Sequence, residues 1–109
     1  MPAYSTSSSL SPARRRLLEL FLRLLFGRIE GLVIRNGEPV LDPLPRIIRV
    51  CKYLPGENGR RPRRVDTIVH SDQVIALFRQ FDRIGNGTID QLVVQNALPF
   101  VSEIAGLPD

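Results

Sequence analysis

Apolar positions along the chain fall into two rhythms, separated by breaks rich in Pro and Gly. Leu17, Leu18, Phe21, Leu24 and Leu25 recur at spacings of three and four, with Arg16, Glu19 and Arg23 between them. This predicts an amphipathic helix with its charges turned outward. Ser11 and Pro12 suit its cap and first position, and Gly27 is the expected left-handed stop. Residues 28–35, the dipeptide Asn36 and Gly37, and residues 38–41 then predict a β-hairpin, because Asn-Gly supplies the two positive φ angles of a two-residue turn. Pro39 has no N–H to give, so its strand is expected at a sheet edge. After Pro43 and Pro45, the β-branched stretch 46–54 predicts a further strand, with a short helix as the alternative, and 55–64 predict a loop. Ser71 and Asp72 cap a second amphipathic helix that carries Val74, Ile75, Leu77, Phe78 and Phe81 on its apolar side.

Shifted by 60 residues, the sequence partly matches itself: GRIEGLVIRNGEPVL, 27–41, lies over GTIDQLVVQNALPFV, 87–101, without a gap. The identities include Gly27 and Gly87, Leu32 and Leu92, Asn36 and Asn96, and Pro39 and Pro99. The same offset sets Leu17 over Leu77 and Phe21 over Phe81 in the helices. The expected fold class is therefore α+β, with two pseudo-symmetric helix and β-hairpin repeats, 14–41 and 74–101, sharing one mostly antiparallel sheet. Ala97 replaces Gly37 in the second copy, and alanine resists positive φ, so a longer turn or one of another type is expected there. Residues 1–13, rich in Ser, Ala and Pro, predict a disordered tail ahead of a single domain over 14–109.

Charge changes the picture by halves. Residues 1–64 hold thirteen basic and five acidic side chains, whereas 65–109 hold two basic and six acidic. The basic excess peaks at Arg60, Arg61, Arg63 and Arg64, a candidate phosphate or nucleic-acid site. No aromatic residue interleaves with that run, so the stacking platform of single-strand binders is missing. The apolar run 17–26 is too short for a membrane span and is interrupted by Glu19 and Arg23, and no small-residue cleavage site follows it. A cytoplasmic location is the expectation, and a single cysteine agrees with it.

The segment 74–94, with Phe81 and Asp82 followed by GNGTID, resembles an EF-hand. The resemblance implies calcium ligands at Asp82, Asn86 and Asp90 around a sharp turn at Gly87. Ile84 and Val93 stand where two further ligands belong, so any calcium binding it implies is weak. The first copy aligns Leu22, Leu24 and Phe26 with ligand positions, which favours the hairpin over the calcium loop. FGRIEGLVIRNGEPVLDPLPR, with LPGENGRRP after it, resembles a group of short bacterial proteins of planctomycete type, and this resemblance implies no activity.

One His and one Cys leave little material for catalysis or a metal centre. Glu30 and Asp90, equivalent acids of the two copies, are the best catalytic pair on offer, and their expected role is that of solvent-facing strand residues. His70, Ser71 and Asp72 are neighbours in sequence only, and Cys51 is expected to be buried and inert. The reading that results is a non-catalytic domain with no cofactor and no metal, acting through protein association as a homodimer or with another protein. Strand alternation sets Leu32, Ile34, Leu92 and Val94 toward the helices, and Ile29, Val33, Ile89 and Val93 on the open face as the expected interface.

Overall fold

The computed structural model describes residues 10–51 and 64–104. They form an α+β fold: helices on one face of an open antiparallel sheet of five strands. In chain order these are α1 (Pro12–Leu24), β1 (Gly27–Arg35), β2 (Glu38–Val40), β3 (Arg46–Arg49), α2 (Val65–Ile68), α3 (Asp72–Ile84), β4 (Gly87–Gln95) and β5 (Leu98–Glu103). The strand order is β2-β1-β4-β5, and β3 pairs with the part of β1 that β2 leaves free. Pro39 lies in β2, at an edge, as its missing N–H requires. The tail expected over 1–13 lies outside the described residues except for 10–13, where Leu10 packs on the core and Pro12 opens α1.

The two long helices are built alike. Ser11 accepts the Arg14 N–H at 3.1 Å and Ser71 accepts the Val74 N–H at 3.2 Å, each hydroxyl satisfying one of the free donors of the first turn. Leu17, Leu18, Phe21 and Leu24 of α1 and Val74, Leu77 and Phe81 of α3 are buried against the sheet, joined by Ile29, Leu32, Ile34, Ile89, Leu92 and Val94 from the strands. The short helix α2, which periodicity does not reveal, adds Val65 and Ile68 to the same core. Strand β3 stops at Arg49, short of the expected 54.

The first helix stop differs from expectation. α1 ends at Leu24, and Leu25, not Gly27, takes the positive φ of 61°. Its N–H reaches Phe21 O at 2.9 Å, and the Phe26 N–H reaches Leu24 O at 2.7 Å. Gly85 does the same after α3, with φ 68° and matching bonds to Phe81 O at 2.9 Å and from Asn86 to Ile84 O at 2.7 Å. The bond from residue i+2 back to residue i makes each a γ-turn, a strained form for any residue with a Cβ. Gly27 is needed for another reason: a Cβ there would collide with the Ile48 carbonyl oxygen of β3.

Both hairpin turns have two central residues at positive φ, Asn36 and Gly37 at 53° and 76°, Asn96 and Ala97 at 57° and 66°. The longer or different turn expected at Ala97 is therefore corrected. Ala97 is fully buried and its N–H donates to Leu25 O at 3.0 Å, and together these offset a left-handed strain of about 1–2 kcal/mol.

Down the centre of the sheet, Gly27 faces Val94, Ile29 faces Leu92, Leu32 faces Ile89 and Ile34 faces Gly87. The alternation breaks midway. Inward residues run 27, 29, 32 and 34 in β1, and 89, 92 and 94 in β4. Gly31, at φ 73°, lets two successive residues of β1 turn away from the helices. The expected sorting of faces is corrected at two of its eight positions: Ile29 and Ile89 point inward and are 0% exposed, while Leu32, Ile34, Leu92 and Val94 are buried as expected.

Leu25→Gly is expected to stabilise the fold. Relief of about 1–3 kcal/mol of backbone strain exceeds the roughly 0.5–1 kcal/mol entropy cost of glycine. Urea denaturation should show a net gain near 1 kcal/mol, and Gly85→Leu a loss of similar size.

Candidate functional site

The open face of the sheet is charged at its centre. Glu30 accepts from Arg28 Nε at 2.8 Å, with Arg46 Nε at 3.5 Å from its other oxygen. Opposite Glu30 in the ladder stands Gln91, with Asp90 one place along the strand, and Glu30 itself lies between two arginines. Of the four residues expected to form an apolar interface here, Val33 is 36% exposed and Val93 is half-buried, while Ile29 and Ile89 belong to the core. The alternation breaks in both strands, at Glu30 and Gly31 in β1 and at Asp90 and Gln91 in β4, which moves residues 29 and 89 to the helix side.

The larger concave feature lies at the other end of the sheet, between α3 and β5. It encloses about 310 Å³ and is lined by Leu77, Gln73 and Gln80 of the helix and by Phe100, Val101 and Ser102 of the strand, among others. Among the described residues β5 is the sheet's last strand, paired with β4 alone. Its register slips once: Val94 faces Pro99 and Val93 faces Val101, so Phe100 is the extra residue of a β-bulge. The bulge turns the Phe100 ring out, 64% exposed, beside Val101 at 47%. A smaller hollow of about 80 Å³ lies between α1 and the chain after β2, where Leu41 and Leu44 sit among Arg16, Glu19 and Arg23.

A polar junction is centred on Arg14. Its guanidinium donates to Gly37 O at 2.9 Å and to Asp82 Oδ1 at 2.7 Å, and rests 4.8 Å from the centre of the Phe78 ring. Glu38, which accepts from the Ser11 hydroxyl, lies 3.9 Å from Arg14 Nε. Arg14 is 17% exposed and its Nε is buried with no hydrogen-bond partner. The planar cation thus fastens the start of α1 to the first turn and to the last turns of α3.

The remaining sequence candidates are scattered. Arg60, Arg61 and Arg63 lie outside the described residues, and Arg64 is an exposed side chain ahead of α2. The Ser71 hydroxyl donates to Ile68 O at 2.8 Å while capping α3, which leaves it no part in a triad with exposed His70. Cys51 is exposed, not buried, because β3 ends before reaching it. The EF-hand resemblance is corrected: Gly87–Gln95 is a strand where the exiting helix would stand, and Asp82 is paired with Arg14. Among the described residues no cluster of His, Cys, Asp or Glu has metal-binding geometry, and no helix is long and apolar enough to cross a membrane.

Sequence reasoning missed both Phe100 and Arg14. An apolar pair directly after an edge proline was the available signal for Phe100. Arg14 carried none, since its partners lie 23 and 68 residues away. No protein-family model matches the chain, and no curated protein and no solved structure is found to be similar to it.

Arg14→Ala is expected to cost about 1.5–3 kcal/mol, because it removes charge-assisted bonds from a half-enclosed site and leaves the Gly37 carbonyl short of a donor. Asp82→Asn, at the exposed end of the pair, should cost under about 1 kcal/mol. Equal losses in urea titrations of the two variants would contradict this division.

Proposed function

We propose that the chain is two copies of one helix and hairpin unit related by a pseudo-twofold axis, and that it acts without catalysis, by binding another polypeptide along the open edge of β5. The duplication is supported by the offset of 60, which carries Ser11 onto Ser71, α1 onto α3, β1 onto β4 and turn onto turn. It is supported again by the ladder. Gly27 faces Val94, the counterpart of Ile34, and Ile34 faces Gly87, the counterpart of Gly27. An axis between Glu30 and Gly31 on one strand, and Asp90 and Gln91 on the other, produces this register.

The observation that carries the binding role is Phe100, an exposed aromatic ring at a bulge on a strand edge that no other described strand covers. A strand edge offers N–H and C=O groups to an incoming extended peptide, and the groove against α3 offers a pocket for its side chains. Aromatic residues are the common anchors of such surfaces. Gln73, Gln80 and Ser102 at the rim supply polar contacts.

Selection of extended peptides from a displayed random library on the immobilised protein should enrich apolar sequences that slow amide exchange along β5. Phe100→Ser and Val101→Lys should each weaken the selected peptides at least about tenfold, with stability changed by less than roughly 0.5 kcal/mol. Absence of enrichment, or peptides indifferent to both substitutions, would remove the binding role. The duplication is tested separately: in an experimentally determined structure, 12–40 should superpose on 72–100 by a rotation close to a half turn.

A further inference from the structure

The contacts that join the first half of the described chain to the second are reciprocal. The Gly37 N–H in the first turn donates to Gly85 O at the second helix stop, 2.8 Å, and the Ala97 N–H in the second turn donates to Leu25 O at the first, 3.0 Å. The Asn36 N–H adds a bond to Asn86 Oδ1 at 3.1 Å. Between them runs the β1·β4 ladder. Each half thus completes the other through backbone groups and a strand edge, and a single covalent connection, residues 50–64, joins the two.

We infer that this joint is also an interface between copies of the chain: two molecules exchange halves, the first half of each pairing with the second half of the other, and Arg14 with Asp82 fixes which half pairs with which. The inference rests on the two-unit reading above, because reciprocal halves are what make the joint transferable. The side chains at the joint then supply the selectivity. Sixty residues on from Arg14 stands Val74, and sixty before Asp82 stands Leu22. Pairing two first halves would set Arg14 against Leu22, so that the guanidinium loses its 2.7 Å partner Asp82 and keeps only Glu38 of its own half, 3.9 Å from Nε. Pairing two second halves would set Asp82 against Val74. Only a first half with a second half brings Arg14 to Asp82 at 2.7 Å and over the Phe78 ring. In one chain the covalent connection favours pairing within the molecule, and exchange grows with concentration or when the internal pair is penalised.

Charge reversal of the full chain in trans tests this. Arg14→Asp alone sets two carboxylates together, and Asp82→Arg alone sets two guanidinium groups together. In an exchanged dimer of one variant with the other, both junctions carry opposite charges. Refolded as a mixture, the two variants should yield a dimer containing one of each by native mass spectrometry, at least about tenfold more abundant than dimers of either alone. The double variant in one chain should return to a folded monomer. A folded monomeric double variant together with a mixture that gives no mixed dimer overturns the inference.

Should the double variant not fold, a second pair decides. Cys51→Ser chains carrying Val33→Cys or Thr88→Cys, residues that face each other across the ladder, are unfolded, mixed and refolded under oxidation. A mixed disulfide dimer in clear excess over the two disulfide homodimers supports exchange, and a statistical mixture or no mixed dimer overturns it. The two-unit reading fails on a different result, a rotation between 12–40 and 72–100 far from a half turn.

Discussion

Two backbone hydrogen bonds hold the rest of this structure in place: Gly37 to Gly85 and Ala97 to Leu25. Each ties the tip of a hairpin to the point where the opposite helix stops. To make them, four residues accept positive φ, and two of those four, Leu25 and Ala97, carry side chains that resist it. The fold tolerates that strain because the bonds fix where each helix ends relative to the sheet, and the placement of helix ends decides which side chains are covered. Leu17, Phe21, Val74 and Phe81 are fully buried only when both helices lie over the central pair β1 and β4.

Much of this was legible in the sequence. The three-and-four spacing in both helices, the Asn turn residues and the edge prolines each express a local rule, and local rules survive without knowledge of tertiary partners. What was hidden depends on partners. A glycine inside a strand reads the same whether it bends the chain or not, so the break at Gly31 was invisible, and the face assigned to Ile29 and Ile89 was wrong. Ala97 was judged by its intrinsic preference, but its methyl group is buried and its N–H is used by Leu25. Arg14 looked like one of three consecutive arginines. Its partners come from the first turn and from α3, and no local pattern announces them.

The two ends of the sheet differ in a way that composition alone would not suggest. At one edge, β3 carries Arg46 and Arg49, and Arg49 donates to Arg23 O at the end of α1 at 2.7 Å, so a charged side chain of this edge strand is drawn into helix capping. At the other, β5 carries Leu98, Pro99, Phe100 and Val101 and no basic residue. Arginine on an outer strand discourages further strand pairing, and a bulge with an exposed ring interrupts pairing while inviting contact. The open edge therefore has a sidedness, and the groove along α3 lies on the permissive side.

The sequence distance spanned by the central ladder has a kinetic consequence. Its partners are separated by 53 residues at Ile34 and Gly87 and by 67 at Gly27 and Val94, whereas the two hairpins join neighbours. Loop closure makes distant pairings slow to form, so the hairpins and helices precede the ladder on the way to the folded state. Until the ladder closes, β1 and β4 both stand as unprotected edges with their apolar faces in water. The brief life of that half-assembled chain is when it is most exposed to aggregation, and the rate at which two preformed halves find each other sets how long the exposure lasts.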